Sequence, residues 1–199
     1  MITLSDEELV ARCKKELPSN TRSYEMLVER HMNRVYSLVY RVVGNKEEAE
    51  DITQEVFMKV HNNLNKFEQQ ASFTSWLYRI ATNSALDALD KIKRRRTNAE
   101  ITLAATVGPE ESVLRTELRE CINRVLKKLG REQAHVLLLR DFEDLSYDEI
   151  AMALTASLSA VKMRIHRARL AFREVFDQLC GAAHLSISRT NAKGRAKGA

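Results

Sequence analysis

The sequence predicts an all-α protein made of two small helical domains joined by a flexible linker. Its 199 residues include only two prolines and six glycines, and a many-stranded β protein needs more of these turn-forming residues. Apolar residues recur every three or four positions over long stretches, and this is the period of an amphipathic helix. The hydrophobic fraction of 44% is ordinary for a globular protein, so a buried core is expected.

The first domain is predicted over residues 1–96. Ser5 and Glu8 match the S-x-x-E capping box, in which the two side chains satisfy backbone donors at the start of a helix. Gly44 follows an apolar-periodic stretch and fits a helix C-cap. These signals and the apolar period predict four helices, at about residues 6–17, 24–43, 46–64 and 73–95.

The second domain is predicted over residues 110–180, after an interdomain linker at residues 97–109 that ends in Gly108-Pro109. Its helices are predicted at about residues 110–129, 131–140, a short stretch after Ser146, and 158–179. Residues 181–199 hold cations and no acids among many small residues, so we expect a basic, disordered tail.

Residues 145–169 have the pattern of a helix-turn-helix. Ser146 and Glu149 match a second capping box, and Ser157 fits the N-cap of the following helix. On that helix Lys162 and His166 fall opposite the apolar positions, where cationic donors can reach a DNA major groove. The alternative is an αα-hairpin with a solvated basic surface. The caps and the basic face together favour DNA binding.

The remaining composition excludes several classes of protein. Cys13, Cys121 and Cys180 are scattered and lack metal-site spacing, which argues against a disulfide framework or a zinc site and favours a reducing cytoplasm. The N-terminus has no apolar signal-peptide segment, and no run of about 18 apolar residues predicts a membrane span. No nucleotide-binding, metalloprotease or nucleophile motif is present, so we expect neither an enzyme nor a cofactor or metal site.

Three segments carry a resemblance to a known family. Residues 145–151 (LSYDEIA) followed by residues 161–169 (VKMRIHRAR) resemble region 4 of extracytoplasmic-function RNA polymerase sigma factors. Residues 49–60 (AEDITQEVFMKV) resemble region 2.2 of that family, and residues 73–83 (FTSWLYRIATN) resemble regions 2.3 and 2.4. Region 2 motifs followed by a linker and a region 4 motif are far more specific for this family than the motifs of either region alone.

The resemblance implies roles for two sets of residues in the first half. One set would dock on the clamp helices of the polymerase β′ subunit; it consists of Asp51, Gln54, Glu55 and Met58. The other set would bind the minus-ten element, with the loop at residues 65–73 capturing a flipped base; it consists of Asn65, Lys66, Phe67, Phe73, Arg79, Asn83, Asp87, Arg94 and Arg95. Asn83 is the residue expected to read a base directly. Trp76 is interpreted as core rather than as a stacking platform, because its neighbours in the helical period are apolar.

In the second half the resemblance implies binding to the minus-thirty-five element and contact with the polymerase flap. The implied DNA-binding residues are Arg140, Ser159, Lys162, Met163, His166, Arg167 and Arg169. The turn Thr155-Ala156-Ser157 lacks the glycine that is common there in the family, and Ser159-Ala160 replaces a common Gly-Thr.

The sequence therefore predicts a cytoplasmic sigma factor. Its expected partners are core RNA polymerase, promoter DNA and an anti-sigma factor, with no membrane. One alternative is a helix-turn-helix regulator with a sensing domain, but the first half offers neither strands nor a ligand pocket. A second alternative, an all-helical protein adaptor, leaves the two basic clusters unexplained.

Overall fold

The computed structural model describes residues 4–68, 71–97 and 113–195, with side chains described for residues 4–68, 71–92, 118 and 120–180. These ranges contain helices and no strand, which confirms the predicted all-α class. The helices are α1 (Asp6–Glu16), α2 (Arg22–Val43), α3 (Lys46–Asn63), α4 (Phe73–Thr97), α5 (Val113–Lys128), α6 (Arg131–Leu137), α7 (Tyr147–Leu154) and α8 (Leu158–Arg195). A 3-10 turn, Leu64–Lys66, follows α3, and a π-helical turn, Leu138–Phe142, follows α6.

Side-chain caps define several of the helix ends. The Ser5 hydroxyl accepts a hydrogen bond from the Glu8 amide at 3.2 Å, and the Glu8 carboxylate accepts one from the Ser5 amide at 2.7 Å. The Asn45 side chain starts α3 by accepting a hydrogen bond from the Glu48 amide at 2.8 Å. Ser146 and Glu149 repeat the reciprocal arrangement at the start of α7. Both capping boxes predicted from the sequence are therefore present.

The first four helices form a bundle around a common apolar core. Its most deeply buried side chains include Leu9 of α1, Leu38 of α2, Val56 of α3, and Leu77 and Tyr78 of α4. α2 packs against α1, α3 and α4, so it is the central helix of the bundle. This arrangement leaves one face of α3 at the surface, and that face contains residues with predicted roles.

In the second half α8 packs against α5, α6 and α7. Ile150 of α7 and Val161 and Ile165 of α8 are buried, as the helix-turn-helix pattern predicts. Two bounds differ from the prediction. The π-helical turn replaces the predicted end of α6, and α8 continues to Arg195, into the tail for which disorder was predicted. Of the predicted linker, Thr97 ends α4 and residues 98–109 lie outside the described residues.

The expectation that no cysteines pair is wrong for two of the three. Cys121 on α5 and Cys180 on α8 are joined by a disulfide with a Cα–Cα distance of 6.3 Å, whereas Cys13 is free and buried. The two cysteines are 59 positions apart in sequence, and no short spacing motif reports a contact that only helix packing creates.

The two halves share one continuous apolar core. Leu126, Leu129 and Leu137 of the second half belong to the same buried cluster as Leu38 and Leu77 of the first half. α4 contacts α6 and α7, and α2 contacts α5. The chain is therefore folded with its two halves packed on one another.

Thr155 is a position where a substitution should stabilise the protein. It ends α7 in the left-handed region at φ 51°, which is strained for a β-branched residue. We expect Thr155→Gly to raise the free energy of unfolding by about 0.5 kcal/mol, because the relief of strain slightly exceeds the added entropy of the unfolded glycine. Urea denaturation followed by circular dichroism measures the change.

Gly44→Ala is the matched control for that prediction. Gly44 has φ 76°, and an added Cβ would meet its nearest neighbouring atom, Lys127 Nζ, only at 3.8 Å. Backbone strain alone should therefore make Gly44→Ala lower the free energy of unfolding by about 1 kcal/mol. If Thr155→Gly destabilises the protein as much as Gly44→Ala does, strain at Thr155 is not the controlling factor.

Candidate promoter and polymerase interface

One face of α3 is exposed and combines carboxylates, an amide and a thioether. Asp51, Gln54, Glu55 and Met58 lie on this face, and Met58 is 65% exposed, unusually high for an apolar side chain. The opposite face of the helix is buried in the bundle through residues such as Val56. Glu55 also pairs with Lys59 one turn later at 2.8 Å. The face is therefore available to a partner with no rearrangement of the bundle.

The loop before α4 packs against a cluster of three aromatic rings. The ring of Phe67 stacks on Trp76 at 4.8 Å between centroids, and Phe73 contacts both rings. Lys14 of α1 donates a hydrogen bond to the Phe67 carbonyl at 2.5 Å, which ties the loop to the bundle. Asn65 and Lys66 are exposed above this cluster.

Burial changes the interpretation of two predicted DNA contacts. Phe73 is 1% exposed and Phe67 is 5% exposed, so they support the loop and offer almost no accessible surface in this conformation. Apolar periodicity already pointed to this for the neighbouring Trp76, which is 9% exposed. A cavity of about 180 Å³ lies beside the cluster. It is lined on one side by Lys66, Phe67, Trp76 and Arg79, and on the other by Met152, Ala153 and Thr155 of the second half.

The predicted minus-ten residues on α4 are engaged by the second half of the chain. Arg79 donates a hydrogen bond to the carbonyl of Ala153 in α7 at 2.6 Å. Arg131, at the start of α6, forms ion pairs with Asp87 at 2.7 Å and with Asp90 at 3.1 Å, and its guanidinium lies 3.5 Å from the Asn83 carbonyl. The side chains of Arg94 and Arg95 lie outside the described residues.

The first turns of α8 present a polar, cationic surface. The exposed residues predicted to contact DNA there are Ser159, Lys162, Met163, His166 and Arg167. The two other predicted residues have partners within this half. Arg140 donates to the Leu145 carbonyl at 2.8 Å and lies over the Tyr147 ring, while Arg169 pairs with Asp141. Arg140 and Arg169 are thus held in place by partners in this half, and Arg169 is exposed like the other five.

A buried carboxylate joins the two halves, and the sequence provides no sign of it. Glu143 is 4% exposed, and its carboxylate accepts a hydrogen bond from Arg34 Nε at 2.9 Å. A second Arg34 nitrogen donates to the Glu143 backbone carbonyl at 2.9 Å, and Arg41 approaches the carboxylate to 3.9 Å. Burial raises the pKa of Glu143, although the two guanidinium groups oppose the shift. We refer to Arg34, Arg41 and Glu143 as the interdomain clasp.

Comparison with known proteins identifies two family regions in the chain. Residues 27–96 match the model of Sigma-70 region 2, and residues 119–172 match that of Sigma-70 region 4. RNA polymerase sigma-H factor of Pseudomonas aeruginosa is 31% identical over 186 residues, which is 87% of this chain and 95% of the relative. ECF RNA polymerase sigma factor SigW of Bacillus subtilis is 33% identical over 82% of this chain and 94% of the relative.

The chain belongs to the extracytoplasmic-function family of RNA polymerase sigma factors. It is thus a promoter-directing sigma factor, and the sequence-based resemblance is confirmed. The solved structure of CnrH in complex with the cytosolic domain of CnrY has the same fold, with a TM-score of 0.63 and 24% identity over 87% of this chain and 97% of that one. The region 2 match contains α3 and most of α2 and α4, and the region 4 match contains α6, α7 and the recognition face of α8.

Neither a metal-binding cluster nor a membrane-spanning helix is found among the sigma factor's described residues. Among them, no group of three or more histidine, cysteine, aspartate or glutamate side chains is arranged to hold a metal ion. No helix within the same residues has the length and apolar character needed to cross a membrane.

We expect a neutral side chain at residue 143 of the interdomain clasp to weaken the packing of the two halves on one another. Glu143→Gln removes the negative charge that faces two guanidinium groups. It should lower the free energy that holds the halves together by on the order of 2 kcal/mol. This is less than the cost of breaking a fully buried ion pair, because Arg34 is half-exposed. We expect a larger radius of gyration in small-angle X-ray scattering. Glu132→Gln makes the same change at an exposed position of α6 and should leave the radius unchanged. Equal radii for the two variants would show that the clasp does not hold the halves together.

Because of His135, we expect the folded protein to be less stable in mild acid. Burial, with Arg131 and Arg79 nearby, lowers its pKa from 6.5 to about 4. Between those values the unfolded chain binds the proton and the folded chain does not, so stability should fall as pH decreases from 6.5 to 4. Thermal unfolding across this range should be less pH-dependent in His135→Gln than in the wild type. His166→Gln, at an exposed histidine, should retain the wild-type dependence; if it flattens the curve equally, His135 is not the controlling group.

Proposed function

We propose that this sigma factor binds core RNA polymerase through α3, opens the minus-ten element with the loop and α4, and binds the minus-thirty-five element with α8. The observation that carries the proposal is the order of the two sigma regions, with an exposed polar face on each. The chain supplies binding free energy and no catalysis. It acts in the cytoplasm, because its partner, RNA polymerase, lies there.

The α3 face supplies the polymerase contact. Asp51, Gln54, Glu55 and Met58 are exposed together on a rigid helix, and its other face is fixed by the bundle. An exposed methionine beside carboxylates suits a helical partner with apolar and basic positions. The clamp helices of the polymerase β′ subunit are the partner that the family relationship suggests.

The loop and the adjacent cavity supply the minus-ten contact. Extruding a base costs a few kcal/mol of stacking, which specific contacts in a pocket must offset. Lys66 lines the cavity and can approach a phosphate. Trp76 and Arg79 of α4 also line it, and Asn83 lies one turn after Arg79 on the same helix. Because α7 lines the same cavity, a base enters only after α7 moves away. The packed arrangement is therefore the unbound form, and binding to polymerase separates the halves.

The exposed set on α8 supplies the minus-thirty-five contact. Lys162 and Arg167 carry the positive charge, and Ser159, Met163 and His166 offer short-range contacts to base edges. An anti-sigma factor is a further proposed partner. One structural relative, RpoE of Bartonella quintana, was solved with the anti-sigma factor NepR, and another, CnrH, with the cytosolic domain of CnrY.

In vitro transcription tests the function. Adding the chain to core polymerase should yield promoter-dependent transcripts, and Gln54→Ala should weaken core binding roughly tenfold, the effect of losing one well-placed contact of about 1.4 kcal/mol. Asn63→Ala truncates an exposed amide on a different side of α3 and should have no effect. If the chain binds DNA but neither core polymerase nor its promoter complexes, it is an ordinary helix-turn-helix regulator.

Lys162 tests the second DNA contact. Lys162→Ala should reduce affinity for a minus-thirty-five duplex and lower the slope of log affinity against log salt by about one, because one phosphate contact is lost. Core binding should be unchanged. Lys46→Ala, at an exposed lysine of the first half, is the control. An unchanged salt slope for Lys162→Ala would place the DNA surface elsewhere.

A further inference from the structure

The disulfide between Cys121 and Cys180 connects two helices that a small apolar cluster also joins. Cys121, Val125 and Cys180 are buried together, with Phe172, Val175 and Phe176 packed around them. Phe172 and Val175 also pack against the main core. Cys121 is 5% exposed and Cys180 is 3% exposed. A covalent bond at the centre of this small cluster adds to the apolar packing that holds α5 to this part of α8.

A cavity lies near the two cysteines, between the stems of cationic side chains of α5 and Leu179 of α8. It has a volume of about 420 Å³ and is lined by Arg124, Lys127, Lys128 and Leu179. Leu179 precedes Cys180 in the chain, and Arg124 lies three positions after Cys121 on α5, which places it on the same side of the helix. The cavity therefore lies close to the pair along α5 and α8, and the cysteines themselves are not part of its lining.

We propose that Cys121 and Cys180 are a reversible redox pair that a peroxide oxidises and that locks α5 to α8. One thiolate attacks the peroxide O–O bond, which breaks, so that this sulfur becomes a sulfenic acid and the leaving oxygen takes a proton to form water. The second thiolate attacks the sulfenic sulfur, the S–S bond forms, the S–O bond breaks, and the hydroxide released takes a proton. Two thiols thereby lose two electrons and two protons, and hydrogen peroxide becomes two waters. A cellular thiol reverses the bond by exchange.

Oxidation stabilises the DNA-binding half without altering its contact surface. Cys180 lies about four turns beyond His166 and about five turns beyond Lys162 on α8, so the duplex-binding residues keep their positions. In the reduced form α5 and the distal part of α8 are held by apolar packing, from the small cluster and from the main core. The inference does not depend on the proposed function, since the bond and its effect on stability are measured without polymerase or DNA.

Mass spectrometry and thermal melting of the full chain test the inference. The reduced protein is treated with hydrogen peroxide, alkylated and digested. We expect two of the three thiols to be protected, a peptide linking Cys121 to Cys180, and a melting temperature higher by at least roughly 5 °C than that of the chain kept in dithiothreitol. Dithiothreitol added afterwards should restore the lower value. The wild-type comparison needs no substitution, so a folding defect cannot confuse it.

Single variants separate this pair from general oxidation. Cys121→Ala and Cys180→Ala should each abolish both the linked peptide and the rise in melting temperature. Cys13→Ala, which removes the free buried cysteine of the first half, should preserve both. The inference is overturned if folded wild-type protein forms no linked peptide, if Cys13 appears in the linkage, or if the linked form melts at the same temperature as the reduced form.

Discussion

The ion pair between Glu143 and Arg34 is the contact on which the arrangement of the two halves depends. A carboxylate that is 4% exposed is costly to bury unless cationic donors surround it, and the nearest donors, Arg34 and Arg41, are both on α2 of the other half. Arg41 also lies over the ring of Phe142, and Arg34 lies over that of Tyr78. These contacts hold the π-helical turn, and thus the helix-turn-helix that follows it, against the first bundle.

That position puts the helix-turn-helix over the surface assigned to minus-ten DNA. Arg79 bonds to Ala153 of α7, and Arg131 covers the side of α4 that carries Asn83 and Asp87. The same groups cannot bind region 4 and promoter DNA at once. Under the proposed function, polymerase must therefore supply the free energy that breaks the clasp. The exposed faces of α3 and α8 remain available in the packed form, so the first encounter with polymerase does not require prior opening.

Local signals predicted the helices and their exposed faces well. The capping boxes at Ser5 and Ser146 are present because each depends on residues three positions apart, and the apolar period correctly assigned Trp76 to the core. Two features were not predicted where the deciding contact is distant in sequence. Phe73 is buried by residues such as His31 and Phe67, and Cys121 meets Cys180 through the packing of α5 on α8.

The sequence by itself determined the all-α class, the family, the order of its two regions and the side of each helix that faces solvent, because all of these follow from short periods and short motifs. The tertiary structure alone decided how the halves pack, which cations neutralise Glu143, and which of the predicted DNA residues are covered. Arg34 and Glu143 are 109 positions apart, and each resembles an ordinary surface charge in its local segment. Only when burial removes water from Glu143 does its charge require a specific partner, and that requirement has no local sequence pattern.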